Sequence, residues 1–202
     1  MKKLQLETIA DDRLMVLDPD PPPKWIFPEV ARAPARVPER ISAAFRQCRL
    51  GHLPWPLMLS GTVGVGKTRA CLCMHDQFGG RYEELATYAD DFGLVRRGEF
   101  RDRRWINEPK LSERDWIKLI RDERLIIVDD IGRRAKESDH VLDTLIRVLN
   151  AREGGHPLVL VTNLTPEELA HNYNDRIASR MVAGTVVNVD SIDQRAEGAV
   201  VA

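Results

Sequence analysis

Residues 61–68, which read GTVGVGKT, constrain this chain more than any other stretch. They match the pattern G-x-x-x-x-G-K-[S/T], a loop whose glycines and backbone amides surround a polyphosphate. A short, largely apolar run at 56–60 precedes the loop and indicates a buried strand, whereas apolar residues 70–74 follow it and suit a helix. Strand, loop and helix therefore occur in the order that this phosphate-binding motif requires, with the helix N-terminus directed at the anion.

The residue types in this loop predict a site for ATP and Mg²⁺. Gly61, Gly64 and Gly66 can take backbone angles that are closed to other residues. We expect Lys67 to reach the β- and γ-phosphates and the Thr68 hydroxyl to ligate Mg²⁺. The expected nucleotide contacts are the whole loop: Gly61, Thr62, Val63, Gly64, Val65, Gly66, Lys67 and Thr68.

Composition limits the class of protein. A chain of 202 residues, 43% hydrophobic and 30% charged, suits one globular domain with a modest extension. The net charge of −1 excludes a strongly basic nucleic-acid binder, so any DNA contact requires a local patch. No apolar run approaches the roughly 18 residues of a membrane span. The odd number of cysteines argues against a disulfide framework, and we expect a cytoplasmic protein with no membrane contact.

The first part of the chain differs from the rest. Residues 19–38 contain seven of the twelve prolines, which fix φ and remove backbone donors. We therefore interpret residues 1–37 as an extended proline-rich arm and residues 38–202 as the folded domain. Trp25, Ile26 and Phe27 lie within the arm, where they either pack into a groove of their own domain or dock onto a partner.

Two further runs end in polar residues that suit phosphate chemistry. Four apolar residues and then two acids occupy 125–130, as in a buried strand with carboxylates at its carboxyl end, where ligands bind in open α/β sheets. In a P-loop protein this is the Walker B pattern. Asp129 is then expected to hold Mg²⁺, and Asp130 to orient or deprotonate the attacking water. A second apolar run, 158–161, ends before Asn163, whose amide could sense or position the γ-phosphate.

Cap residues and apolar spacing predict the remaining elements. Residues 85–89 read as a second strand followed by a helix from Asp90, and residues 185–189 read as the last strand. Helices are predicted over 38–50, from Ser112, from Ser138, over 167–172 after a capping box at Thr165, and over 174–181.

Two groups of arginines are candidates for contacts with other molecules. Residues 96–105 hold five arginines and two acids, with Phe100 and Trp105 interleaved. Such a stretch suits single-stranded DNA, and the alternative is a solvated loop with two anchoring aromatics. Arg176 and Arg180 lie four residues apart and share a helix face. One of them could be an arginine finger acting on a neighbouring subunit's nucleotide, and the alternative is a pair of surface arginines bridged to acids.

Four segments in sequence order, GTVGVGKT, LIIVDDIG, LVLVTNLTPEEL and DRIASRM, resemble the AAA+ ATPases of the DnaC/DnaI helicase-loader and IstB transposition-helper group. The likeness covers roughly residues 38–195. It implies a three-layer α/β/α P-loop NTPase fold with a parallel five-stranded sheet of order 5-1-4-3-2 and no C-terminal lid domain. It also implies that Asn163 occupies the sensor-1 position and that Arg180, or else Arg176, is the arginine finger.

The resemblance implies a function as well. Proteins of this group bind ATP and Mg²⁺, contact single-stranded DNA and place a hexameric replicative helicase. We therefore expect an oligomeric ATPase of slow, partner-stimulated turnover. A transposition helper that binds duplex DNA and a transposase is the alternative, since loaders usually carry a folded helicase-binding domain where this chain has the 1–37 arm. A small-molecule kinase with arginines 96–104 as its lid is a third hypothesis, which the Asp129–Asp130 pair and Asn163 disfavour.

Overall fold

A computed structural model describes residues 38–100, 110–133 and 137–189, in which strands and helices alternate. The strands are β1 (Leu57–Ser60), β2 (Arg81–Glu84), β3 (Ile126–Ile131), β4 (Leu158–Thr162) and β5 (Thr185–Asn188). The helices are α1 (Glu39–Arg49), α2 (Lys67–Phe78), α3 (Leu85–Arg96), α4 (Glu113–Asp122), α5 (Asp139–Ala151), α6 (Pro166–Asn172) and α7 (Asp175–Val182). The arm predicted over residues 1–37 lies outside the described residues.

All five strands form one parallel sheet in the order β2-β3-β4-β1-β5. This order confirms the prediction. Because the strands are parallel, their carboxyl ends lie at one edge of the sheet, where the P-loop follows β1. The register places Leu59 beside Val161 of β4 and Glu84 beside Asp129 of β3.

Helices cover both faces of the sheet. Along β3, Ile127 packs with α1 and α2, whereas Ile126 and Val128 pack with α3, α4, α5 and α7 on the other face. Strands buried on both faces are largely apolar, and β1, β3 and β4 each begin with at least three buried apolar residues. The arrangement confirms the predicted three-layer α/β/α fold.

The prediction for residues 85–91 was wrong. The second strand is β2, and Leu85 already begins α3, so no helix starts at Asp90. Leu85, Tyr88 and Phe92 recur at helical spacing and are all buried on one side of α3. The sequence did not predict β2 because it is a half-buried edge strand of sequence RYEE, which contains no apolar run.

The predicted helix caps are confirmed. The Ser112, Ser138 and Thr165 hydroxyls accept hydrogen bonds from backbone amides in the first turns of α4, α5 and α6, and at Ser112 and Thr165 a reciprocal acid completes a capping box. Within the described part of the chain, each helix is too short or too polar to cross a membrane.

Candidate nucleotide site

The P-loop connects β1 to α2 in a conformation that depends on glycine. Gly61, Gly64 and Gly66 have φ angles of 140°, 87° and 93°. A Cβ on Gly61 would collide with the Val189 carbonyl oxygen, so the loop and the segment after β5 lie in direct contact there. Gly66 immediately precedes α2, and no side chain caps that helix. The first amides of α2 are therefore available to an anion.

Lys67 spans the loop from the first turn of α2. Its side chain is buried, and Nζ donates to the carbonyl oxygens of Gly61 and Thr62 at 2.6 and 2.7 Å. A buried ammonium needs such acceptors, and the loop itself supplies them. Thr68 follows Lys67 and is exposed at the start of α2, while Val63 at the tip of the loop is 56% exposed. The tip of the loop at Val63 and the Thr68 side chain are therefore exposed to solvent.

Asp129 lies on the α2 side of the sheet, where it is only 4% exposed. Its Oδ1 accepts from the Asp130 backbone amide at 2.7 Å, and its Oδ2 accepts from the Tyr82 hydroxyl at 2.6 Å. Burial raises the pKa of the nearby Cys71 thiol, Asp129 raises it further, and Lys67 acts in the opposite direction. Cys71 of α2 thus lies within reach of both the Asp129 and the Lys67 charge.

Tyr82 is a site neighbour that the sequence analysis missed. It lies on β2, is half-buried, and packs against the core on the α1–α2 side. Burial raises the pKa of its hydroxyl, and the hydrogen bond to Asp129 raises it further, so the hydroxyl remains a donor. No local pattern signalled this residue, because β2 carries no apolar run and was not predicted.

Asp130 points in a different direction from Asp129. It has a φ of 60°, the one positive value outside glycine in the described residues, and the pairing of β3 with β4 shifts register around it. Its Oδ2 accepts from Arg133 Nη1 at 3.1 Å, and Arg133 also lies 3.7 Å from Glu84. Asp130 lines a cavity of about 400 Å³ beside α3 and α5, together with Arg133 and Glu137. The predicted base thus contacts Arg133, which the sequence analysis did not single out.

Asn163 is exposed and follows β4 directly. Hydrogen bonds hold its two chain neighbours, Thr162 and Leu164. The Thr162 hydroxyl donates to the Ile131 carbonyl oxygen at 2.8 Å and accepts from the Leu164 amide at 3.0 Å. The Ser60 hydroxyl donates to the Leu164 carbonyl oxygen at 2.8 Å. These bonds join the carboxyl ends of β3, β4 and β1, so Asn163 is positioned between the Walker B strand and the P-loop strand.

No protein-family model matches this sequence, and no curated protein matches it. The fold is similar to that of DnaA from Aquifex aeolicus bound to AMPPCP, with a TM-score of 0.58 and 17% identity over 79% of this chain and 47% of that one. It is also similar to the DnaC helicase loader (TM-score 0.52, 15% identity, 66% of this chain and 77% of that one) and to DnaI (TM-score 0.50, 18% identity, 78% and 83%).

The chain therefore shares the fold of these DnaA, DnaC and DnaI proteins. At these identities the likeness concerns the fold alone. The chain spans about half the length of two DnaA proteins that it matches, 47% of one and 45% of the other.

Arg180 lies far from the P-loop of its own chain. It lines a cavity of about 120 Å³ with Trp55, Pro56 and Leu158, which precede or begin β1 and β4. This is the amino-terminal edge of the sheet, opposite the edge that carries the P-loop. One guanidinium nitrogen, Nη1, is buried without a hydrogen-bond partner among the described residues. Arg176, one turn earlier, is exposed, and neither arginine forms an ion pair with an acid in the described ranges.

The arginine-rich segment is described only at its start. Arg96 lies 3.6 Å from Glu113, and Arg97 lies 3.1 Å from Glu99. Phe100 is buried in the core and so is not available to stack on a base, which favours the anchoring interpretation for this aromatic. Trp105 and the remaining arginines of the segment lie outside the described residues.

Proposed function

We propose that this chain is an ATPase that binds ATP and Mg²⁺ at the carboxyl edge of its sheet. One observation carries the proposal: the P-loop after β1, the acid Asp129 on β3 and the amide Asn163 after β4 converge there, with the strand ends joined by the Ser60 and Thr162 hydrogen bonds. A bound triphosphate requires the backbone amides of a glycine-rich loop, a lysine, an acid and a side-chain amide.

Each P-loop residue has a role in this proposal. The amides at the start of α2 bind the phosphate oxygens, and the Lys67 ammonium exchanges its contacts with Gly61 and Thr62 for the β- and γ-phosphates. The loop residues 61–66 enclose the phosphate chain. Because these two acceptors of Lys67 are neutral carbonyls, the anionic phosphates are stronger acceptors than either of them.

Thr68 and Asp129 fit a Mg²⁺ site. The Thr68 side chain is exposed at the start of α2, and each Asp129 oxygen accepts a single described hydrogen bond although an ionised carboxylate oxygen has two lone pairs. Mg²⁺ takes oxygen ligands and keeps several of its waters, so two side chains together with phosphates suffice. When bound, the ion neutralises charge on the β- and γ-phosphate oxygens.

Asp130 and Asn163 are proposed to act on the attacking water. Asn163 orients the water and the γ-phosphate through its amide, and the Asp130 carboxylate accepts the water proton as the oxygen–phosphorus bond forms and ADP leaves. The contact of Asp130 with Arg133 competes with this role, which is consistent with the slow, partner-stimulated turnover expected from the sequence.

Arg180 is proposed to complete the site of a neighbouring copy, with Arg176 as second choice. The length of β1 alone separates the two edges of the sheet by roughly 13 Å, so Arg180 acts on nucleotide only across an interface. Arg180 is partly exposed, which supports donation from its guanidinium to a phosphate of the neighbour. The proposal therefore includes a head-to-tail homo-oligomer with nucleotide between subunits.

The cellular role that we propose is loading of a hexameric replicative helicase onto single-stranded DNA in the cytoplasm. The motif resemblance supports it, and so does the shared fold with the DnaC helicase loader. A DnaA of similar fold was solved with AMPPCP and single-stranded DNA (TM-score 0.56, 19% identity, 76% of this chain and 45% of that one). We propose that residues 1–37 bind the helicase.

Two measurements test this proposal. The chain should bind ATP in the presence of Mg²⁺ and release phosphate, and absence of both would overturn the ATPase assignment. Tagged protein of residues 1–202 should retain a replicative helicase of the source organism when ATP is present and lose it when residues 1–37 are removed. Retention of a transposase instead would replace the loader role with the transposition-helper role.

A further inference from the structure

Asp129, the first acid of the Walker B pattern, accepts a hydrogen bond from a side chain on a different strand. The Tyr82 hydroxyl donates to Asp129 Oδ2 at 2.6 Å, while Oδ1 accepts from the Asp130 amide at 2.7 Å. A buried carboxylate requires such donors, and these two restrain it from opposite ends. With one oxygen bonded on each side, rotation of the carboxylate about its Cβ–Cγ bond breaks a hydrogen bond.

The sheet itself places the hydroxyl. Tyr82 pairs in register with Ile127, and Asp129 lies two residues further along β3 on the same face as Ile127. The tyrosine ring packs against the core on the α1–α2 side, with the His75 ring centroid 6.4 Å away. Because the donor sits on a strand and its ring is packed, its position does not depend on a flexible loop.

We propose that Tyr82 is a positioning residue for the Mg²⁺ site, which rests on the ATPase function proposed above. Its hydroxyl sets the orientation in which the remaining lone pairs of Asp129 meet Mg²⁺ or a water bound to it. Partners of this kind, one shell outside the metal, typically change metal affinity by about 10- to 100-fold when removed. Tyr82 acts through Asp129 and does not itself touch the nucleotide.

The test separates this role from a purely structural one through the dependence of nucleotide binding on Mg²⁺. Binding of N-methylanthraniloyl-ATP to the chain is measured by fluorescence with excess Mg²⁺ and with EDTA. The readout, called the Mg²⁺ ratio, is the dissociation constant in EDTA divided by the dissociation constant in Mg²⁺. Tyr82→Phe keeps the ring and removes only the donor. We expect its Mg²⁺ ratio to fall by about 10-fold while its affinity in EDTA stays within about twofold of the parent.

Tyr88→Phe is the matched control. Tyr88 is fully buried on α3, and its hydroxyl contacts the Arg81 carbonyl oxygen at 3.4 Å instead of an acid. This variant should keep the parent's ratio. A parental ratio in Tyr82→Phe, or an equal loss of affinity with Mg²⁺ and with EDTA, overturns the positioning role. If the parent chain binds no nucleotide in either buffer, the proposed ATPase function fails instead.

A second measurement needs no substitution at Tyr82. The chain has three tyrosines, so protein labelled with 3-fluorotyrosine should show three fluorine signals, which Tyr88→Phe and Tyr173→Phe assign. Paramagnetic Mn²⁺, which accepts the same oxygen ligands as Mg²⁺, is then added with ATP. The Tyr82 signal should broaden most. Stronger broadening of Tyr88 or Tyr173 would place the metal elsewhere and overturn the inference.

Discussion

Arg133 Nη1 donates a 3.1 Å hydrogen bond to Asp130 Oδ2, and this contact engages the proposed catalytic base from the side of the 400 Å³ cavity. Glu84 on β2 lies 3.7 Å from the same guanidinium. The base is therefore linked through Arg133 to the edge strand of the sheet. Because this hydrogen bond holds the Asp130 carboxylate against Arg133, it competes with the hydrogen bond that the attacking water would make to the same group.

Arg133→Ala should raise the rate of ATP hydrolysis. The pair is partly exposed, with side-chain exposures of 70% and 31%, so it contributes at most about 1 kcal/mol and the gain should not exceed about fivefold. Asp130→Asn should slow hydrolysis by roughly 100-fold and keep ATP binding. Steady-state phosphate release measures both, with Arg121→Ala, whose guanidinium pairs with exposed Asp122, as control. A slower Arg133→Ala enzyme would mean that the arginine supports catalysis.

Lys67→Ala should abolish tight ATP binding, because an ammonium aimed at the phosphates is lost. Hydrogen bonds to charged groups contribute about 1.5–3 kcal/mol, which predicts a loss of roughly 10- to 150-fold in affinity. Equilibrium titration with a fluorescent ATP analogue measures it. Lys118→Ala removes an exposed lysine of α4 and should bind like the parent. Parental affinity in Lys67→Ala would remove the P-loop from the assignment.

Arg180→Ala should impair hydrolysis only where two subunits meet. In a mixture with Lys67→Ala protein, interfaces form in which an intact Arg180 faces an intact P-loop, so part of the activity should return. A Lys67→Ala protein that also lacks Arg180 serves as the control and should restore nothing. Phosphate release at a fixed total concentration measures the recovery. Equal activities with and without mixing would argue against action across the interface.

Arg152→Met should destabilise the fold by about 3 kcal/mol. The guanidinium is buried, and it donates to the carbonyl oxygens of Ile120, Arg121, Glu123 and Pro157, so the substitution removes these buried hydrogen bonds. Burial lowers the pKa of Arg152 to about 10, so the side chain is still protonated at neutral pH. Urea denaturation measures the change. Arg114→Met, on the exposed face of α4, should change the free energy of unfolding by less than about 0.5 kcal/mol.

The fold class and the position of the P-loop at the sheet edge could be predicted from the sequence because their signals are local. The P-loop, the apolar run that ends in Asp129 and Asp130, and the capping box at Thr165 each depend on residues within a few positions of one another. Helical spacing along α3 was also present in the sequence, yet the weak edge strand before it led to a wrong assignment of residues 85–89.

The sequence by itself determined that a phosphate loop precedes a helix and that acid and amide side chains follow buried strands. Only the tertiary structure decided that Tyr82 meets Asp129, that Asp130 turns towards Arg133, and that Arg180 lies at the edge of the sheet away from the P-loop. The physical reason is that these relationships arise from strand pairing, a register shift and packing between residues far apart in the chain. A local sequence pattern does not specify which distant residue will contact a given side chain.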